Sequence, residues 1–507
     1  MATPQPARLG KDEGFDPELK KLALVVLLGA VMTILDTTIV NVAVNTLGTE
    51  FDTSLATIQW VLTAYTLALS MSIPITAWAV ARFGAKRMWM LSLILFVIGS
   101  ALCGAAWSVG SLIVFRAIQG IGAGMIMPIG QTMLAQKAGP QRMGRVMAVI
   151  AVPAMLAPVL GPVLGGLIID HLSWRWMFYV NVPLCALALV AALRMLPRDV
   201  VQNASAKLDV VGLLLLSPGL AALVYGMSEA GNGSGLTSPK VVVGVIAGLA
   251  LIAAFVFHAL RLGERALVDV RLFRDRNFSV VNLAFFTYVG ALFGMMVLLP
   301  LYFQVVEHQT PLQSGLMTAP LGLGAMLTMP ISGKLSDRLG AWRLSLVGLP
   351  VMLLGVFGYT QIHADTANWL LLAILFVIGL GHGTLMPALM GGMYRTLDRV
   401  DVPSATVAAN ITMRIGSSIG VAALAVVLQI AIQDVFPQTD GSLDEVAAAS
   451  ASGGAAGNAE VLLTHAFTTG FWWAFAFAAV AVIPILLIPR TPKAAAEPKM
   501  EETIPVP

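Results

Sequence analysis

Charge is scarce in this chain. Asp, Glu, Lys and Arg make up 11% of its 507 residues, against roughly 25% in an ordinary soluble domain, which excludes a single water-soluble core of this length. Cysteine is scarcer still. Cys103 and Cys185 are the whole supply, and both fall inside apolar runs, so neither a disulfide framework nor a thiolate metal site is indicated. The net charge is only +3, which gives no hint of a nucleic-acid partner. No G-x-x-x-x-G-K-[ST] phosphate loop occurs, removing ATP as a direct energy source within the chain. Nothing here asks for a cofactor, a metal or a catalytic residue, so an enzyme is not expected.

What is abundant is apolar length. Hydrophobic residues make up 58% of the chain, in runs near or above 18 residues, and in hydrocarbon only helices or closed barrels satisfy their own backbone groups. The runs are too long and too unalternating for barrel strands. The sequence predicts an all-α integral membrane protein with fourteen helices, near 22–44, 57–80, 88–107, 111–135, 145–168, 177–196, 210–228, 240–260, 279–303, 314–333, 344–361, 368–392, 404–430 and 466–488. An even count puts both termini on one side. With the N-terminus cytoplasmic, 26 of the 30 Lys and Arg residues fall in cytoplasmic segments, as the positive-inside rule requires. Arg175 and Lys240 fall outside, and Arg116 and Arg414 lie within helices. The first 21 residues mix acidic and basic side chains, unlike a signal peptide, so the first helix is expected to be an uncleaved anchor.

The chain also repeats itself. Ala77, Arg82, Gly84, Ala85 and Arg87 lie over Gly333, Arg338, Gly340, Ala341 and Arg343 at an offset of 256, each set in a short loop between helices. Gly120, Gly122, Gly124, Met127 and Pro128 lie over Gly379, Gly381, Gly383, Met386 and Pro387 at an offset of 259. Two six-helix pseudo-repeat bundles follow, residues 22–196 and 278–488, with an inserted two-helix hairpin in the linker 197–277. Such duplication is an alternating-access carrier design. Residues 1–21 and 489–507 are expected to be cytoplasmic tails, and the Ala, Ser, Gly and Asp-rich stretch 431–463 a mobile outside loop.

These features resemble the major facilitator superfamily, specifically its fourteen-span drug:proton antiporter branch. Leu35-Asp36-Thr37-Thr38-Ile39-Val40-Asn41-Val42-Ala43 looks like the family's first-helix motif, and Arg116-Ala117-Ile118-Gln119-Gly120-Ile121-Gly122-Ala123-Gly124 is similar to its proton-coupling motif. Gly161-Pro162-Val163-Leu164-Gly165-Gly166 is the core of the motif associated with antiporters. Trp174-Arg175-Trp176 with Asn181-Val182-Pro183 resembles the stretch entering helix six, and Lys334-Leu335-Ser336-Asp337-Arg338-Leu339-Gly340 matches the loop motif. The first-half loop departs, carrying Ala81 where the family has an acid that helps latch the cytoplasmic side. The resemblance implies gating loops and hinges at Arg82, Gly84, Gly161, Pro162, Gly165, Gly166, Asp337, Arg338 and Gly340, and a substrate cavity touching Thr37 and Asn41.

Four polar residues inside the helices are the candidates for proton coupling. Placing Asp36 deep in a bilayer costs roughly 2.5 to 3.5 kcal/mol, so it needs a partner or a use, and leaving water makes a carboxylate easier to protonate. It either exchanges protons or bonds nearby hydroxyls and holds the first helix. Arg116 and Gln119, three apart on one helical face, either bias that proton equilibrium or clasp backbone carbonyls. His382 heads a stripe with Met386, Met390 and Met393 and either switches charge near pH 6.5 or simply packs. Met127, Met386 and Met390 offer adaptable surface for varied ligands, and Tyr65, Phe286 and Tyr288 offer aromatic faces; core and lipid-facing placement are the plainer alternatives. The expected function is secondary active export of hydrophobic or cationic small molecules in exchange for protons. A dedicated exporter of one lipid, siderophore or metabolite is the alternative, and a non-transporting sensor a remote one. The expected setting is a bacterial cell membrane, with lipid, substrate and protons as partners and the chain acting as a monomer.

Overall fold

The structure, a computed structural model, describes residues 16–139, 142–154, 157–199, 201, 203–231, 235–436 and 456–490, and among them no strand occurs. The helices are α1 (Pro17–Val42), α2 (Val44–Glu50), α3 (Leu55–Ser72), α4 (Thr76–Phe83), α5 (Ala85–Gly104), α6 (Val109–Ala138), α7 (Met143–Ala154), α8 (Ala157–His171), α9 (Trp176–Tyr179), α10 (Asn181–Met195), α11 (Val210–Glu229), α12 (Pro239–Leu262), α13 (Arg276–Val305), α14 (Pro311–Tyr359), α15 (Asn368–Met393), α16 (Val402–Val435), α17 (Ala456–Val480) and α18 (Val482–Leu487).

Local chemistry sets the helix ends. Asp16 caps α1 ahead of Pro17, and Ser108 with Ser111, and Thr310 with Gln313, form capping boxes at the starts of α6 and α14, each satisfying two otherwise unpaired backbone N–H groups. α6 ends at Gly139 with φ 73. Large apolar side chains, among them Leu214 (65% exposed), Val243 (64%) and Leu354 (67%), face outward on several helices. Apolar surface on that scale suits lipid rather than water.

Among the described residues eleven helices are long and apolar enough to cross a bilayer, or twelve when the pair bent by 54° between Ser72 and Thr76 counts as one span; fourteen separate spans are not seen directly among them. The difference from the sequence reading has local causes. The bend in the predicted helix 57–80 follows Pro74, which has no N–H to continue the ladder. The predicted helix 145–168 is divided between α7 and α8, with residues 155 and 156 outside the described residues. The two predicted helices at 314–333 and 344–361 run together as α14, broken only at Gly340 (φ 84, ψ 162). Its 49 residues would extend about 74 Å as one rod, over twice the hydrocarbon thickness. The outside loop expected over 431–463 is shorter, since α16 runs on to Val435 and α17 begins at Ala456. Residues 437–455, the tail 1–15 and the tail 491–507 lie outside the described residues.

Packing divides most helices into two groups. α1 packs on α6, α7, α8 and α10, while α6 also packs on α3 and α5; in the second group α13 packs on α14, α15, α16 and α17, and α14 on α15. α11 and α12 pack on each other, and α11 touches both α3 and α16. The duplicated glycines do equivalent work in each group. A Cβ on Gly120 or Gly124 would strike α3 backbone and one on Gly122 would strike α5 backbone; on Gly379 and Gly381 it would strike α14 backbone before and after Gly340 respectively.

The groups meet at the end of the bundle that carries the basic loops. α7 packs on α14 and α15, and α16 packs on α6 and α4. Gly144, Gly333 and Gly391 bring three backbones together there: a Cβ on Gly144 would lie 2.7 Å from the Gly333 carbonyl oxygen, and one on Gly391 2.8 Å from the Gly144 nitrogen. The buried Asn410 amide donates to Gln131 Oε1 at 2.7 Å, joining α16 to α6.

Candidate functional site

Asp36 is fully buried on α1 and is held from two other helices. Arg116 Nη1 donates to its Oδ2 at 2.6 Å, and the Gln119 and Asn181 amides donate to its Oδ1 at 2.7 and 2.8 Å. Arg116 and Gln119 reach it from α6, one turn of helix supplying both, while Asn181 stands at the start of α10. A second layer fixes these donors. Arg116 Nη1 also donates to Gln119 Oε1 at 2.8 Å and its Nε to the Val61 carbonyl on α3 at 3.3 Å. Asn181 donates to Ser100 Oγ at 3.0 Å, and Ser100 donates to the Phe178 carbonyl at 2.8 Å. The Arg116 guanidinium lies 4.0 Å from the centre of the Tyr65 ring, a cation–π contact strengthened by desolvation. Asp36 is six residues from the end of α1 and Arg116 seven from the start of α6. The pair therefore sits about 10 Å inside the end of these helices opposite the basic loops.

Asp36 does not rest on neighbouring hydroxyls: Thr33, Thr37 and Thr38 bond back to carbonyls of their own helix. Removing one partner of a buried ion pair leaves the other charge uncompensated, at about 3–5 kcal/mol. The Asp36–Arg116 pair therefore holds α1 to α6.

His382 is buried on α15, away from that network. Its Nδ1 hydrogen-bonds the Tyr288 hydroxyl of α13, the two rings stack with centroids 5.8 Å apart, and its Nε2 has no partner. Met386 reaches the same hydroxyl and packs with Ala148 of α7, Ala325 and Met329, so it lies at the seam. Met390 and Met393 are buried in the core. Met127 and Phe286 are half-buried, and Asn41 is exposed at the end of α1.

The predicted loops are tied down unequally. Asp337 crosses the seam: its Oδ1 accepts the Gly144 N–H at 3.0 Å and its Oδ2 stands 3.3 Å from Arg145 Nε. Gly340 adopts φ 84, where a side chain would be strained, beside the tip of the Arg395 side chain, and Arg338 lies in the α14 turn just before it. In the first-half loop, where Ala81 replaces the expected acid, Asp199 from the linker accepts the Lys86 and Arg87 N–H groups at 2.7 and 3.0 Å. It sits where a Cβ on Gly84 (φ 93) would lie, and Arg82 donates to the Ala206 carbonyl at 2.8 Å. Gly161 packs α8 tightly on Thr38, Gly165 lies near the Ile39 carbonyl and Gly166 has no close neighbour; the side chain of Pro162 is outside the described residues.

Sequence reasoning missed Asn181 as a partner of Asp36 and Ser100 as the group that fixes Asn181, Asp199 as the loop's acid, and the Gln131–Asn410 bond. Asn181 carried a signal in its Asn-Val-Pro motif; the others are single polar residues without local pattern.

Comparison with known proteins agrees with this architecture. The family model of the Major Facilitator Superfamily matches residues 26–421. The chain is 40% identical to the multidrug resistance protein B homolog of Mycobacterium tuberculosis (strain H37Rv), over 84% of this chain and 79% of that one. It is 32% identical to the multidrug export protein EmrB of Escherichia coli K12, over 64% of each. Its fold is similar to that of the proton:xylose symporter XylE, with a TM-score of 0.59 at 14% identity, covering 93% of this chain and 96% of that one.

Proposed function

The chain belongs to the Major Facilitator Superfamily, and from that premise we propose that this membrane transporter is a secondary active exporter of small hydrophobic molecules of the drug and dye type, exchanging them for protons. In this reading residues 22–196 and 278–488 are the two moving halves, α14 supplies two spans separated at Gly340, and α7 with α8 supplies one, for fourteen in all. The basic end is cytoplasmic, and the Gly144–Gly333–Gly391 seam closes it.

One observation carries the reading: Asp36 is buried under three donors from two helices, with Arg116 as its counter-ion. A proton arriving from the outer side neutralises Asp36, releases Arg116 and loosens α1 from α6, so that uptake of the proton and opening of the seam are one event. Asp337, Gln131 and Asn410 hold the closed cytoplasmic side in the proton-free state. The energy suffices, since one proton moving down about 100 mV contributes roughly 2.3 kcal/mol, enough for about a fifty-fold gradient of a neutral substrate. The relatives named for multidrug resistance and export support the cargo class. Cationic cargo draws less support, because the Asp36 charge is already neutralised by Arg116.

The test is reconstitution in liposomes with an imposed pH gradient, following one neutral and one cationic fluorescent dye. Dye movement that collapses with a protonophore is expected. Equal flux with and without the gradient would rule out proton exchange.

A further inference from the structure

Arg414 takes no part in the site described above, yet it is a permanent charge within a membrane helix. It lies twelve residues into α16, about 18 Å from the basic end, and arginine does not lose its proton in proteins. Such a charge needs a counter-ion, water or a ligand. Among the described residues no carboxylate pairs with it, and its Nε is buried without a hydrogen-bond partner, while the residue as a whole is only half-buried. Asp36 cannot serve, because both its oxygens are occupied by Arg116, Gln119 and Asn181.

Its place in the seam follows from helical spacing. Asn410, one turn earlier on α16, bonds Gln131 of α6, so Asn410 and Arg414 share the face turned toward α6. α6 runs toward the basic end and α16 away from it, which puts Met127, one turn before Gln131, at the level of Arg414. Both are half-buried. Immediately beyond the closed end the seam thus holds a thioether and one uncompensated positive charge.

We propose that Arg414, with Met127 at its level, forms an anion subsite in the seam that selects hydrophobic molecules carrying a carboxylate. The apolar body rests on Met127, and the carboxylate accepts from the Arg414 guanidinium, including the Nε–H that is otherwise unpaired. The assignment deepens the exporter reading and rests on it for physiological meaning, but the subsite is tested by equilibrium binding, which needs no gradient.

The experiment titrates the purified full-length protein in detergent with 1-pyrenebutyrate, its methyl ester and 1-pyrenemethylamine. Wild type is expected to bind the acid about ten- to a hundredfold tighter than the ester, the range for one charge-assisted contact, and the amine more weakly than the ester. Arg414→Gln removes the preference by weakening the acid alone, and Arg414→Lys keeps part of it; the unchanged ester affinity shows that the variant is folded. A wild type without preference for the acid, including one that binds none of the probes, overturns the proposal, as does Arg414→Gln weakening acid and ester equally. Discrimination in binding without pH-driven dye transport would sink the proton-exchange reading and leave this one standing; the reverse result does the opposite.

Discussion

A single carboxylate organises the site because every group around it has been committed to it. Asp36 takes three donors, and two of them, Arg116 and Asn181, are themselves fixed by bonds to Gln119, Val61 and Ser100. Asn181→Ala should cost about 1–2 kcal/mol, the penalty for an unmet buried bond, read as a lower melting temperature in detergent. Asp36→Asn and Arg116→Gln should be non-additive, with a coupling of about 1–3 kcal/mol in a double-mutant cycle; additive losses would mean that the pair is not energetically linked. Asp36 and Arg116 stood out in the sequence because each is an ionisable residue inside an apolar run, and Gln119 because it lies one turn from Arg116. Ser100 did not stand out, and Asn181 did so only through its Asn-Val-Pro motif, since a neutral polar side chain in a membrane helix is unremarkable until a partner from a segment 145 residues away arrives beside it.

Elements behave here as rigid pieces joined at a few sharp positions. α14 shows why helix number is harder to read than helix presence: apolar length marks both of its arms, but whether a break between them is a loop or a single residue depends on backbone angles at Gly340. The seam was illegible for a related reason. Gly144, Gly333 and Gly391 are three among 48 glycines, and only the packed structure shows that they meet. Gly144→Val should prevent the basic end from closing, because its Cβ has no space beside the Gly333 carbonyl. Spin labels at Arg87→Cys and Arg343→Cys, with buried Cys103 and Cys185 left in place, should report longer distances than in the parent. Asp337→Asn should shift the same distribution in the same direction by about 1 kcal/mol, leaving short distances still populated. An unchanged distribution in Gly144→Val would mean that this seam does not hold the end shut.

The whole molecule is two helix groups that touch chiefly at one end, with the buried acid nearer the other. The duplication was legible from the spacing of its glycines, and the structure gives it physical sense, since equivalent glycines admit equivalent neighbours in each group. Their relative placement was not legible, because it depends on contacts such as Gln131 with Asn410, 279 residues apart. The account predicts a molecule in which substrate movement and proton movement share one gate, with Asp36 as the proton's place in it. The most direct test compares wild type and Asp36→Asn in liposomes, measuring substrate exchange without a gradient and substrate accumulation under an imposed pH gradient. Asp36→Asn should still exchange substrate but fail to accumulate it; accumulation at the wild-type level would contradict the account.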